Sequence, residues 1–94
     1  MASYVVLFNW TEAGIKSYKD SASRADAARE MWSAAGVTIK DIYWTVGPYD
    51  LVGIVEAADD ETLTKGLLQL GSAGNVRTTT MRAFSQAEFS ALLS

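Results

Sequence analysis

This sequence predicts an α+β fold, with helices packed on one side of a four-stranded antiparallel sheet. Three observations support it: four β-rich runs, two helical segments that separate the first run from the second and the third from the fourth, and a tight turn between the second and third. Right-handed crossovers convert this order into a ferredoxin-like βαββαβ sandwich with the sheet order 4-1-3-2, followed by a short C-terminal helix. The chain is long enough for one domain, which we assign to residues 1–94.

The first strand and the first helix are predicted over Ser3–Trp10 and Ala22–Ala35. The strand run consists mostly of β-branched and aromatic residues, and it is too short for a stable helix. The helical run is rich in alanine at helical spacing, and Gly36 follows it where a left-handed cap belongs. Ser21 or Ser23 is the predicted N-cap.

The second and third strands are predicted over Val37–Val46 and Asp50–Ala57. Only Gly47-Pro48-Tyr49 lies between these two β-rich runs, so they form a hairpin. The single proline of the chain lies in that turn, where its missing N–H removes no hydrogen bond of the sheet. We expect Gly47 to serve the geometry of the turn through a positive φ.

The second half of the fold continues with a helix over Asp60–Ser72, which Asp59 or Asp60 caps. A fourth strand is predicted over Asn75–Phe84. The pair Ser85 and Glu88 then matches the spacing of a capping box and opens a short terminal helix.

Composition and charge exclude several classes of function. The chain has no Cys and no His, which removes disulfides, thiolate nucleophiles and imidazole catalysis, and we predict neither a cofactor nor a metal site. The net charge of -3 gives no reason to expect nucleic acid or a membrane as a partner. The first ten residues lack the basic region of a secretory signal, so we expect a cytoplasmic protein.

Both central strands are apolar on both faces. In the first strand Val6 and Phe8 alternate with Val5 and Leu7, and the third strand follows the same pattern. Two helices cover only one face of the sheet, and soluble monomers rarely expose a large apolar patch. Either the terminal helix covers the other face or a second subunit does, and we expect a homo-oligomer.

One end of the sandwich collects most of the residues that are capable of chemistry. The predicted topology brings together the end of the first strand, the start of the first helix, the hairpin and the start of the fourth strand. The candidate ligand-binding residues there are Trp10, Asp20, Arg24, Tyr43, Tyr49, Asp50, Asn75 and Arg77.

We predict that this end binds a small anionic metabolite, with Arg77 as its main anchor and Asp50 orienting that guanidinium. Backbone donors near Arg24 would assist. Two structural alternatives stay open: an ion pair of Arg77 with Asp50 or Asp20, and backbone N–H groups donating to the Asp50 carboxylate across the hairpin.

The segment Asp41–Asp50 resembles the signature of the GYD-domain proteins, small bacterial chains whose Gly, Tyr and Asp correspond to Gly47, Tyr49 and Asp50. Further matches lie in Lys19-Asp20-Ser21 and Gly74–Thr78, so the resemblance covers nearly the whole chain. It implies a ferredoxin-like, oligomeric α+β domain and supplies no catalytic residues.

Three functions therefore compete. The first is a non-enzymatic homo-oligomeric module that binds a small molecule or a protein. The second is a cofactor-free enzyme of the dimeric α+β barrel type, similar to monooxygenases or isomerases, and fold alone does not decide it. The third is a structural subunit of a larger assembly. An enclosed pocket with a carboxylate or a tyrosine tuned toward neutral pH would favour the enzyme.

Overall fold

Four antiparallel strands form one sheet in the computed structural model, which describes residues 1–94. The strands are β1 (Ala2–Trp10), β2 (Val37–Trp44), β3 (Leu51–Ala57) and β4 (Val76–Ala83). Their order in the sheet is β2-β3-β1-β4, so the predicted order 4-1-3-2 and the ferredoxin-like α+β class are confirmed.

Four helices and one 3-10 turn accompany the sheet. The helices are α1 (Glu12–Lys16), α2 (Ser21–Ala34), α3 (Asp60–Ser72) and α4 (Gln86–Leu92), and the 3-10 turn at Tyr18–Asp20 leads into α2. The predicted helices match α2, to within one residue at each end, and α3. No helix in the chain combines the length and the apolar character needed to cross a membrane.

The short helix α1 was not predicted. Thr11 begins it by accepting the backbone N–H of Gly14 on its hydroxyl at 3.1 Å, and Glu12 pairs with Lys16 one turn later at 3.3 Å. Five residues are too few to show a helical period, and Thr11–Gly14 read as the end of a strand.

Two of the three predicted N-caps are confirmed. Asp59 caps α3 by accepting the N–H of Thr62 at 2.8 Å, and Ser85 with Glu88 forms the complete capping box of α4. The predicted cap of α2 was wrong, because Asp20 occupies that position without a side-chain bond and Ser21 is already helical. The Ser21 hydroxyl instead accepts the indole N–H of Trp44 at 2.9 Å.

The core lies between one face of the sheet and the helices α2 and α3. The sheet contributes alternate residues such as Tyr4, Val6 and Val55, and the helices contribute Trp32 and Leu63. The Trp32 indole N–H donates to the carbonyl of Gly66 at 2.9 Å, and a Cβ at Gly66 would lie 3.0 Å from that nitrogen. A side chain at position 66 would therefore crowd the Trp32 ring where α3 crosses it.

The opposite face of the sheet is uncovered, and we call it the open face. Its centre is apolar, formed by Val5 and Leu7 of β1 and by their partners Ile54 and Val52 of β3. Tyr43 and Met81 extend it on the outer strands and are 60% and 48% exposed. The terminal helix does not bury its own apolar side chains on this face, since the exposed fractions are 55%, 61% and 74% for Phe89, Leu92 and Leu93.

Candidate functional site

A cleft of about 240 Å³ lies between α2, α3 and the covered face of the sheet. Its floor is built by Phe8 and Trp10 of β1, Leu51 of β3 and Val76 of β4. These residues lie where β1 ends and where β3 and β4 begin, which is the end of the sandwich that the sequence singled out.

The cleft exists because α2 presents alanines to the sheet. Ala25 and Ala28 line it three residues apart, on one face of the helix. On α3 the corresponding positions are leucines, and Leu63 is buried while Leu70 reaches the cleft. Side chains as small as alanine leave the space between helix and sheet unfilled.

Arg24 is held at the rim of the cleft by bonds to the chain that precedes it. Its Nη1 donates to the carbonyl and the hydroxyl of Ser17 at 2.8 and 2.9 Å, and its Nη2 donates to the carbonyl of Gly14 at 3.2 Å. A guanidinium carries five N–H donors, so these three bonds leave two donors without a partner in the chain.

The position of Arg24 is fixed in turn by contacts between α1 and the start of β4. The Thr11 N–H donates to the Asn75 carbonyl at 3.0 Å, and the Thr11 hydroxyl donates to the Gly74 carbonyl at 2.5 Å. Gly14 is buried against the same residue, and a Cβ there would lie 2.0 Å from the Asn75 carbonyl oxygen. Only glycine permits this approach.

Among all residues that line the cleft, Arg24 alone has an ionisable side chain. The other polar side chains are Ser21 at 7% exposure, Gln69 and Asn75. Arginine stays protonated at any physiological pH, so it cannot exchange protons with a substrate. The cleft offers an apolar wall with hydrogen-bond donors at its rim, and no proton-transfer group.

Asp50 connects the hairpin to the end of β1. Its N–H donates to the Phe8 carbonyl at 2.8 Å, and its carboxylate oxygen Oδ2 accepts the Trp10 N–H at 2.8 Å. The predicted interaction of Asp50 with Arg77 was wrong, because the two ion pairs of the chain are Lys16 with Glu12 and Lys40 with Glu56. The Asp50 carboxylate does accept a backbone N–H, but the predicted donor within the hairpin was wrong, because the donor is Trp10 of β1.

The hairpin turn itself has the predicted conformation at Gly47, whose φ is +153°. The Thr45 hydroxyl donates to the Tyr49 carbonyl at 2.6 Å and closes the turn. The Asn9 amide donates to the Pro48 carbonyl at 3.2 Å and links the turn to β1. The Gly-Pro-Tyr-Asp segment therefore acts here as a hydrogen-bonded connection between two strands.

The structure divides the eight candidate residues among several surroundings. Trp10, Arg24 and Asn75 line the cleft, whereas Asp20 is exposed at the start of α2. Tyr49 and Asp50 belong to the hairpin and are half-buried. Tyr43 and Arg77 lie on the open face, at 60% exposure for the tyrosine.

Register explains why Arg77 lies away from the cleft. It pairs with Asn9 across β1 and β4, whereas the cleft residue Trp10 pairs with Val76. Residues that face each other across two strands share a face, and consecutive residues alternate, so Arg77 and Trp10 lie on opposite faces of the sheet. The sequence pattern indicates that both lie at one end of the sheet, but it does not separate the two faces.

Ser21 and Gln69 line the cleft but are not among the candidate residues predicted from the sequence. A signal for Ser21 was present, because it precedes Arg24 by three residues and therefore shares its face of the helix. No comparable signal marked Gln69.

One buried ionisable group lies at the other end of the sheet. The Tyr4 hydroxyl donates to Asp60 Oδ1 at 2.5 Å, and this bond, together with burial, raises the pKa of Tyr4 above its ordinary value of 10.0. Arg82 stacks over the same ring, 5.6 Å from its centre. This group joins β1 to α3 and takes no part in the cleft.

Comparison with known proteins gives a family and one curated relative. A family model described as GYD domain matches residues 4–93. A protein of Thermus thermophilus, named "Glutamine synthetase and cystathionine beta-lyase binding protein", is 33% identical over 94 residues, which cover 99% of each chain.

Three solved structures resemble the fold. A crystal structure of a protein from Thermus thermophilus has a TM-score of 0.59 at 29% identity and covers 90% of this chain and 95% of that one. MtbAldR has a TM-score of 0.70 at 16% identity, over 90% of this chain and 52% of the other. FFRP-DM1 has a TM-score of 0.63 at 19% identity, over 89% and 100%. At such low identity the last two show the fold alone.

Proposed function

This chain belongs to the GYD-domain family, and on that premise we propose that it is a non-enzymatic, homo-oligomeric module that binds other proteins. The observation that carries the proposal is the match to a relative whose name describes a binding protein, along 99% of both chains. That relative's name gives two enzymes, glutamine synthetase and cystathionine beta-lyase. We propose enzymes of the same two classes as partners of this chain.

The chemistry of the cleft supports binding over catalysis. An enzyme of the cofactor-free type needs a group that gives or takes a proton beside its substrate. The cleft contains one ionisable side chain, the permanently charged Arg24, and the tyrosines and carboxylates considered as acids or bases lie elsewhere. Tyr43 faces the open side of the sheet, and Asp50 is engaged by the Trp10 N–H.

The open face supports the homo-oligomeric part of the proposal. The apolar side chains of Val5, Leu7, Val52 and Ile54 form a continuous patch across two central strands, and all four are partly exposed. Burial of apolar surface contributes roughly 25 cal/mol for each Å² removed from water, which favours a partner on such a patch. A second copy is the simplest partner, because a two-fold axis brings the same patch of two copies into contact.

The exposed helix α4 adds a second uncovered apolar surface to each copy. It begins after β4, an edge strand, and exposes Phe89, Leu92 and Leu93. We propose that a second copy covers both apolar surfaces of each chain, the open face and the exposed side of α4.

Binding of the two enzymes is measured with purified proteins. Glutamine synthetase and cystathionine beta-lyase from the organism that encodes this chain are immobilised in turn, and association is followed by interferometry at micromolar concentration. We expect saturable binding to at least one of them, and none to an unrelated immobilised enzyme of similar size and charge. Absence of binding to both would contradict the proposal.

A further inference from the structure

We propose that the cleft between α2 and α3 binds a small carboxylic acid with an apolar body, and that Arg24 and Ser21 hold its carboxylate. This small-molecule site goes beyond the binding of proteins and does not depend on it. The cleft has mostly apolar walls, and its one charged side chain, Arg24, lies on the same helix as the buried hydroxyl of Ser21, near the start of α2. The other polar side chains of the cleft are the amides of Gln69 and Asn75.

The Arg24 guanidinium has free N–H donors that can bind an acceptor from outside the chain. Its bonds to Ser17 and Gly14 fix the plane of the guanidinium, and two N–H donors are left without a partner. No carboxylate of the chain lies within ion-pair distance of Arg24, since the two ion pairs of the protein involve other residues. A half-buried guanidinium that is positioned but unpaired favours an anion of matching planar shape.

Ser21 supplies a second donor on the same side of the helix. It lies three residues before Arg24, is 7% exposed and lines the same cleft. Its oxygen accepts the Trp44 indole N–H at 2.9 Å, so the oxygen is fixed in place while its own hydrogen is still free to donate. In the proposed complex, one carboxylate accepts from the Ser21 hydroxyl and from the Arg24 guanidinium.

Size and charge select the class of ligand. A cleft of about 240 Å³ admits a small molecule and excludes a folded protein segment. Beyond the donors the walls are apolar, formed by residues such as Ala25, Ala28 and Leu70. A single fixed positive charge matches a monoanion, which points to a monocarboxylate with an aliphatic or aromatic body of that size.

The test follows the three tryptophan indole signals by proton–nitrogen NMR during titration. Trp10 and Trp32 line the cleft, and Trp44 bonds to Ser21, so all three report on it. The probes are hexanoate for an aliphatic body and phenylacetate for an aromatic one, with hexan-1-ol and hexylamine as matched compounds that lack the carboxylate. We expect at least one acid to bind about tenfold or more tightly than the alcohol, as a charge-assisted bond provides, and no binding of the amine.

Two variants with a matched control locate the site. Ala28→Leu fills the cleft and should weaken acid binding by about tenfold or more, whereas Ala22→Leu places the same side chain on an exposed turn of α2 and should leave binding unchanged. Arg24→Gln should remove the preference for the acid over the alcohol while weak binding of the alcohol persists. The Arg24 variant loses three structural bonds, so Ala28→Leu decides the matter if Arg24→Gln fails to fold.

Three results would each overturn the proposal: no indole shift at about 10 mM of either acid, alcohol binding as tight as acid binding, or Ala28→Leu binding like the parent. Association with the two enzymes is measured in parallel on Ala28→Leu. Because that substitution lies inside the cleft, we expect enzyme binding to persist, so loss of the small-molecule site and loss of protein binding are told apart.

Discussion

The carboxylate of Asp50 accepts the backbone N–H of Trp10 at 2.8 Å, just beyond the last regular pair of β1 and β3. The N–H of Asp50 donates to the Phe8 carbonyl two residues earlier in β1. A side-chain oxygen thus takes the place of a backbone carbonyl where the ladder ends. This relationship gives the aspartate of the Gly-Tyr-Asp signature a structural role, and it ties down the backbone of Trp10, which forms part of the floor of the cleft.

Removing this carboxylate should destabilise the fold. Asp50→Ala leaves the half-buried Trp10 N–H without its acceptor, at a cost of about 1–3 kcal/mol. Asp50→Asn retains an oxygen in the same place and should lose less. Denaturant unfolding measures both, with Asp26→Ala as control, because Asp26 is an exposed residue of α2 without a side-chain hydrogen bond and should change stability by less than about 0.5 kcal/mol.

Asp50 and Arg77 should behave as independent residues. No ion pair joins them, and Arg77 lies on the open face. In a double-mutant cycle of Asp50→Asn and Arg77→Ala, the effects on unfolding free energy should add to within about 0.5 kcal/mol. A coupling energy well above that value would mean that the two charges interact.

Gly14→Ala should be among the most damaging small substitutions in the chain. The new methyl group would lie 2.0 Å from the Asn75 carbonyl oxygen, which cannot move without breaking the Thr11 bond at the same oxygen. We expect a loss of about 1–3 kcal/mol or more in thermal or denaturant unfolding. Gly71→Ala is the matched control, because nothing lies within 4 Å of its Cβ and alanine favours the helix, so stability should hold or rise.

Gly47→Ala tests backbone conformation without a steric clash. Nothing lies within 4 Å of the added methyl group, and the φ of +153° is one that side chains rarely adopt. The substitution should cost about 1–3 kcal/mol through backbone strain alone. Val46→Ala changes a fully exposed neighbour in the same turn and should have little effect, and equal melting of both variants with the parent would show that the turn relaxes freely.

The N-cap of α3, Asp59, should make the stability of the protein depend on pH. The Thr62 N–H donates to the Asp59 carboxylate and lowers its pKa below the ordinary value of 3.8. The folded state therefore favours the ionised form of Asp59. The contribution of this cap to stability is complete at pH values above 3.8 and is lost as the pH falls through the lower pKa of the folded state. Urea unfolding of parent and Asp59→Ala should differ most near neutral pH and converge in acid, whereas a constant difference would contradict this assignment.

Periodicity predicted strands and helices well because long segments repeat their pattern. The alternation in β1 and β3 indicated both sheet faces, and Asp59 and Ser85 indicated helix starts by their local chemistry. The site was harder to predict, because the cleft depends on which sheet face each residue occupies. Arg77 is on the far face through a register that pairs it with Asn9, and a composition pattern does not reveal that register.

The central claim, that the open face packs against a second copy of the chain, is tested most directly by light scattering at micromolar concentration. We predict a mass at least twice 10.2 kDa for the parent. Leu7→Glu places a charge at the centre of the open face and should shift the mass to that of one chain, whereas Val46→Glu at the exposed hairpin should leave the assembly intact. A parent that scatters as a single 10.2 kDa species, or a Leu7→Glu variant that assembles like the parent, would contradict the account.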